Sequence, residues 1–395
     1  MQRRDFLKTL AGGAMVALSP QLAFYAPRVF AAPSAATGAY EKLLILVELK
    51  GGNDGLNTVV PYADAEYYRL RPRIAIKRED VLQLDERTGL NPALQPLLAL
   101  WQSRELAVIQ GLGYPDANLS HFRSIEIWDT ASRSEEYLHD GWLARAFALS
   151  PAPASFAADG VIVGSAELGP LAGAGVRAIA LSNPEQFLRQ AKLAAPGTST
   201  RNEALQHIMK VESDVAQAAL KLGNAQYAFR TEFPKNEFGN TVKTASQVIA
   251  AGGGVAAVRL TLSGFDTHQN QPGAQANLHK QLAEGLLALK NALVEMNRWD
   301  KSLIVTYAEF GRRPKENQSN GTDHGTANAH FVIGGAVRGG LYGAAPPLTR
   351  LDGNGNLPYA VDFRSLYATV LERHWGLPSA RVLGGHFEVL PILKT

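Results

Sequence analysis

Leu43-Leu44-Ile45-Leu46-Val47-Glu48-Leu49-Lys50-Gly51-Gly52-Asn53-Asp54-Gly55 joins an apolar run to a loop of small, turn-forming residues. Apolar side chains at successive positions, with no alternation, read as a strand buried on both faces, which a parallel sheet covered by helices requires. The same pattern recurs outward at Leu106-Ala107-Val108-Ile109, Val255 to Leu262, Ser302 to Tyr307 and His330 to Gly334. Helix-like stretches lie at Pro92 to Trp101, His121 to Ala131, Arg201 to Arg230 and Ala274 to Asn297. The alternation predicts an α/β domain with a largely parallel central sheet. Pro151 to Gly253, richer in alanine and long helical patterns, reads as a helical insertion or cap on that domain.

Doubly wound sheets place ligands beyond the carboxyl ends of their strands. The opening strand delivers Asp54 there, Ser263-Gly264-Phe265-Asp266-Thr267-His268 delivers Asp266 and His268, and Ala308-Glu309-Phe310-Gly311-Arg312 delivers Glu309. Each also has a plain structural reading, as a tight turn, a helix cap or a surface ion pair. Their joint placement at one edge favours a site. The densest stretch, Asn320-Gly321-Thr322-Asp323-His324-Gly325-Thr326-Ala327-Asn328-Ala329-His330, sets a carboxylate and two imidazoles among glycines and amides. Those donors suit a divalent metal. Asp323 either ligates or orients His324 from behind, and His330 either ligates or starts the strand.

Tyr114-Pro115-Asp116-Ala117-Asn118-Leu119-Ser120-His121-Phe122-Arg123-Ser124 reads as a loop ending at a helix start, with Ser120 as the N-cap. A hydroxyl there meets free N–H groups and the positive end of the helix dipole, which favours a phosphate or sulfate. Ser120 is therefore a candidate nucleophile, with His121 and Arg123 as ligand or anion contacts. His139, His207 and His279 fall in helical or polar contexts and read as surface residues, and nothing local favours His374 or His386.

The N-terminus reads as an export signal. Arg3-Arg4 and Lys8 precede an apolar stretch from Leu10 to Leu18, and Val29-Phe30-Ala31 offers a cleavage point. The stretch is short of the roughly 20 residues of a membrane span. Residues 1–31 then form a twin-arginine signal and 32–39 an Ala/Pro/Ser/Gly linker, predicting a periplasmic or secreted protein. Arg3, Arg4, Lys8 and Arg28 against Asp5 account for the whole net charge of +3, so removing the signal leaves a neutral chain and no electrostatic case for nucleic acid. With no cysteine, disulfides, thiol nucleophiles and thiolate-bound zinc are excluded.

The paired-arginine start, Glu48 to Gly55, Ser120-His121-Phe122, Gly264 to His268, Glu309 to Arg312 and Gly321 to Gly325 together resemble the 1501 family of domains of unknown function, over nearly the whole mature chain. That family is similar in fold to the alkaline phosphatase and sulfatase superfamily. The resemblance implies an alkaline phosphatase/sulfatase-like three-layer sandwich over residues 40–395, with the insertion at about 151–253, and two divalent metals among zinc, manganese, magnesium and calcium. On this pattern Asp54 matches the first carboxylate, Ser120 the nucleophile, and Asp266 with His268 the second-metal pair. Either Glu309 and His324, or Asp323-His324 and His330, complete the ligands. Glu309 directly follows its strand, which favours the first register.

Arg312 or Arg123 would clamp the anion. Three departures weigh on the match: one residue separates Asp266 from His268, Glu309 stands where an Asp is expected, and there is no cysteine for a sulfatase nucleophile. The expected function is an exported metal-dependent hydrolase of phosphate esters, less readily sulfate esters, meeting the twin-arginine translocase and an anionic ester. The alternative is a noncatalytic binding or assembly protein with an exported protein partner.

Overall fold

The computed structural model describes residues 39–181 and 227–394. The export signal, linker residues 32–38 and residues 201–226 of the expected helix lie outside them, while 227–230 are not helical. The strands are β1 (Leu43–Lys50), β2 (Val59–Val60), β3 (Leu82–Gln83), β4 (Gly89–Leu90), β5 (Leu106–Gly113), β6 (Ala158–Val163) and β7 (Ala178–Leu181). They continue with β8 (Val255–Ser263), β9 (Ser302–Tyr307), β10 (Gly311–Glu316), β11 (Thr322–Gly325), β12 (Asn328–Ile333), β13 (Gly340–Gly343) and β14 (Val361–Asp362).

The central sheet runs β13-β5-β12-β9-β1-β8-β6-β7, with β14 also on β5. Its pairs are parallel except those of β12, which runs against both β5 and β9. Side chains of β1 alternate between two cores. Leu43, Ile45, Val47 and Leu49 meet the helices Glu237–Ala250 and Gln271–Glu295. Leu44 and Leu46 meet His121–Thr130, Trp142–Leu149 and Phe363–Thr369. Two apolar faces on one strand produce the expected three layers.

The stretch read as a helical insertion is partly sheet. β6 and β7 extend the central sheet beside β8, and only Glu237–Ala250 is a long helix among its described residues. Asp159 and Gly160 disguise β6 in the sequence. Asp159 is neutralised by Arg177 at 2.5 Å, and Gly160 leaves room for Leu171, whose methyls would lie 2.6 Å from a Cβ there.

Three histidines lie in the core, among them His279, which the sequence reading placed at the surface. Burial lowers His279 to about 4, against the opposing charge of Asp54, lowers His330 to about 3, and lowers His374 to about 4. The unfolded chain, with ordinary imidazoles near pH 6.5, takes up protons first, so their contribution is intact above that pH and lost as pH falls towards 4. Metal-free protein should therefore lose roughly 2 kcal/mol per histidine between pH 7.5 and 5. Urea midpoints at those two pH values measure it; equal midpoints would contradict the buried neutral rings.

Candidate metal centre

The strand ends meet because two glycines let them. Gly51 and Gly52 have φ of +118° and +77°. A Cβ on Gly51 would sit 2.4 Å from the Asp266 amide nitrogen, and one on Gly52 would sit 2.3 Å from the Phe310 ring. Lys50 O accepts the Gly264 and Phe265 N–H groups, stitching the ends of β1 and β8. The buried Arg312 completes the join. It donates to Gly52 O at 2.7 Å, Thr322 O at 2.9 Å, Phe265 O at 3.1 Å and Asp266 Oδ1 at 2.6 Å, and also to Gly51 O.

Around Asp266 stand three imidazoles from separate elements. His121 begins the helix after β5, His268 follows β8, and His324 lies in β11 opposite Arg312 of β10. Single donor atoms of His121, Asp266 and His324 all lie within 4.8 Å of one another. His268 Nε2 is 3.0 Å from His324 Nε2 and 3.1 Å from Asp266 Oδ1. The Phe310 ring backs His324 at 4.4 Å and His121 at 4.9 Å.

Each ring is held by its other nitrogen. His324 Nδ1 donates to Leu119 O at 2.8 Å, a carbonyl that can only accept, so neutral His324 presents a bare Nε2. His121 Nδ1 donates to Glu309 Oε1 at 2.9 Å, and His268 Nδ1 faces Asp323 Oδ1 at 3.5 Å. Outer acceptors of this kind fix the ring and aim Nε2 inward, as around metal-binding histidines. Burial, then the nearby charges of Arg312 and His121, keep His324 below the usual imidazole range and favour its neutral, ligating form. Burial alone would raise Asp266, but the Arg312 hydrogen bond and charge outweigh it and hold the carboxylate ionised. Three nitrogens and a carboxylate fit a divalent cation such as zinc. Among the described residues His121, Asp266 and His324 form the one group whose donor atoms gather this closely, and His268 stands beside them.

Several residues read as site members stand elsewhere. Asp54 is sealed in a buried ion pair with Arg71 at 2.5 Å, and also accepts from the Leu56 N–H and Gln271 Nε2, so no oxygen faces the cluster. Glu309 is the buried outer partner of His121 and also accepts the Gly51 N–H, while Asp323 is the outer partner of His268. His330 lies inside the sheet against Trp128, near Thr306 Oγ1 at 3.4 Å. Neither ligand register therefore takes the form expected. His324 belongs to the cluster, but its companions are His121, Asp266 and His268.

Arg123 is no anion clamp. It donates to Arg133 O, Ser134 O and Glu136 O, pairs with Glu126 and lies over the Tyr137 ring. Arg312 is likewise spent on carbonyls and Asp266. Ser120 is exposed at the helix start, and its hydroxyl makes no capping bond. His121, read beside Ser120 as a ligand or anion contact, stands in the cluster itself. Its signal was position, one residue past a helix cap at a strand's carboxyl edge.

A family model described as "Protein of unknown function (DUF1501)" matches residues 82–387. No curated protein matches. Among solved structures, the chain is similar to the C-terminal periplasmic domain of EcEptC from Escherichia coli in complex with Zn, at 10% identity over 74% of this chain and 72% of that one, with a TM-score of 0.36. It is also similar to the PsFucS1 sulfatase from Pseudoalteromonas sp., at 11% identity over 89% and 70% of the chains with a TM-score of 0.35. For alkaline phosphatase from the Antarctic bacterium TAB5 the values are 11%, 76%, 94% and 0.31.

Proposed function

The chain belongs to the DUF1501 family of proteins of unknown function, and from that premise we propose that it is an exported, metal-dependent hydrolase of phosphate esters, with sulfate esters the lesser substrates. The observation that carries this reading is the convergence of three inward-facing Nε2 atoms and Asp266 beside the start of the helix His121–Thr130. No helix among the described residues is long and apolar enough to cross a membrane, which accords with delivery through the twin-arginine route.

His121, Asp266, His268 and His324 would hold the cation, which supplies positive charge against the negative charge that develops on the ester's nonbridging oxygens. The chain's own residues do the rest. Free N–H groups at the start of a ten-residue helix favour the anion, and Ser120 lies at that same point. Ser120 Oγ, or water in its place, forms the new bond to phosphorus as the ester oxygen leaves with a proton as the alcohol. Water then releases the phosphate from Ser120. Glu309 and Leu119 O keep two of the rings from turning, so the donors need no rearrangement as charge builds.

Protein recovered from a periplasmic fraction should carry a divalent metal and turn over a phosphomonoester, phosphodiester or sulfate ester in a panel supplied with zinc, manganese, magnesium or calcium. Ser120→Ala should lower kcat by several orders of magnitude while metal content stays unchanged. Metal-loaded protein that hydrolyses no ester would sink the hydrolase reading and favour a noncatalytic exported binding or assembly protein.

A further inference from the structure

Phe122 is 88% exposed, more than any other large apolar side chain among the described residues, and it follows Ser120 and His121 directly. Its ring joins none of the three apolar cores. The helix His121–Thr130 does not call for it either, since phenylalanine forms helix less readily than alanine. A hydrophobic staple from Leu119 would close on the fourth helical position, but Ser124 stands there and its hydroxyl donates to Glu309 O. The fold thus gains nothing from a phenyl group at this point.

Its place in the helix aims it at the imidazole cluster. Consecutive Cα atoms lie about 3.8 Å apart, which keeps Phe122 against His121. That neighbour is fixed, with Nδ1 on Glu309 Oε1 at 2.9 Å and Nε2 at 3.5 Å from Asp266 Oδ2. Helical Cα–Cβ bonds tilt towards the N-terminus, so a side chain covers the turn before its own. Phe122 is the second residue of its helix and has no earlier turn to cover. Its side chain therefore projects towards the helix start, where the free N–H groups and the exposed Ser120 stand. A phosphoryl group held at that point carries the rest of its ester past this ring. Apolar surface laid on the ring leaves water, and a second aromatic ring adds the attraction between their quadrupoles.

We propose, resting on the hydrolase reading of the metal centre, that Phe122 sets the substrate class: phosphate esters whose alcohol portion is an apolar aromatic ring packed on Phe122. Phenylphosphonate and methylphosphonate share one anionic head, on a carbon–phosphorus bond that ester hydrolysis does not break. Calorimetric titration of the zinc-loaded protein with each therefore reads recognition apart from turnover. Phenylphosphonate should bind roughly tenfold or more tightly than methylphosphonate. Phe122→Ala should bring the two affinities within about twofold of each other, while Phe122→Tyr, which keeps the ring, should keep most of the preference. Val294→Ala trims an exposed apolar residue near the end of the helix Gln271–Glu295 and should leave the preference unchanged. Equal affinity for the two phosphonates, or a preference that survives in Phe122→Ala, would overturn this inference and leave the hydrolase reading standing. If neither phosphonate binds, anion recognition at the helix start falls and this inference with it. A preference for phenylphosphonate in a protein that turns over no ester keeps the aromatic subsite and sinks the hydrolase reading alone.

Discussion

Replacing His324 with alanine should lower affinity for zinc, as the probe cation, by at least about 100-fold, because loss of an outer partner alone costs roughly 10–100-fold and this change removes a donor. His324 Nε2 lies 3.0 Å from His268 Nε2 and 3.2 Å from Asp266 Oδ1, so its loss opens the centre of the cluster. Glu309→Gln should fall in the milder 10- to 100-fold range. Its amide oxygen can still accept from His121 Nδ1 and the Gly51 N–H, but it carries no charge to strengthen the imidazole as a donor. Asp54→Asn should leave zinc affinity untouched in the folded protein, since Asp54 faces Arg71. Competition with a chromophoric chelator gives all three values. Wild-type affinity in His324→Ala, or an equal loss in Asp54→Asn, would move the metal away from these four residues.

The second large effect is on stability. Arg71→Ala should destabilise the fold by about 3–5 kcal/mol, the usual result of stripping one partner from a buried ion pair. Arg71 and Asp54 have fully buried side chains. The guanidinium also donates to Asn57 Oδ1 at 2.7 Å, Pro314 O at 2.7 Å and Arg313 O at 3.0 Å, so its loss leaves a buried carboxylate without its counter-charge and takes a donor from two carbonyls, while Asn57 Oδ1 keeps the Tyr67 hydroxyl. Adding Asp54→Leu to the Arg71 change should recover only part of the loss, because the Arg313 and Pro314 carbonyls still lack the donor that Arg71 gave them. Urea unfolding of the two variants checks both expectations. A loss below about 1 kcal/mol in Arg71→Ala would mean that water reaches Asp54 freely.

Much of the sheet is legible because burial on both faces leaves an unbroken apolar mark. β1, β8 and β9 follow their apolar runs closely, and the sequence places Asp266, His268 and Glu309 at their ends. β6 hides because an ion pair and a close helix contact put Asp159 and Gly160 inside it. The direction of β12 is also invisible, since apolar periodicity reads the same both ways. Running antiparallel, β12 brings the preceding strand β11, with His324, to the edge where β1 and β8 end, and carries His330 into the sheet.

Within the site, residue types and strand ends are local properties, whereas roles depend on distant partners. Glu309 reads as a ligand by position and becomes an outer partner because His121, far back in the chain, donates to it. Asp54 has the right loop and the right edge, but Arg71 closes over it. The sequence by itself determined an α/β domain and the stock of oxygen and imidazole donors at one sheet edge, because hydrophobic periodicity and residue chemistry are written locally. Only the tertiary structure decided which of those groups face one another and which are neutralised. Hydrogen bonds and ion pairs act over a few ångströms in space, whatever the separation along the chain.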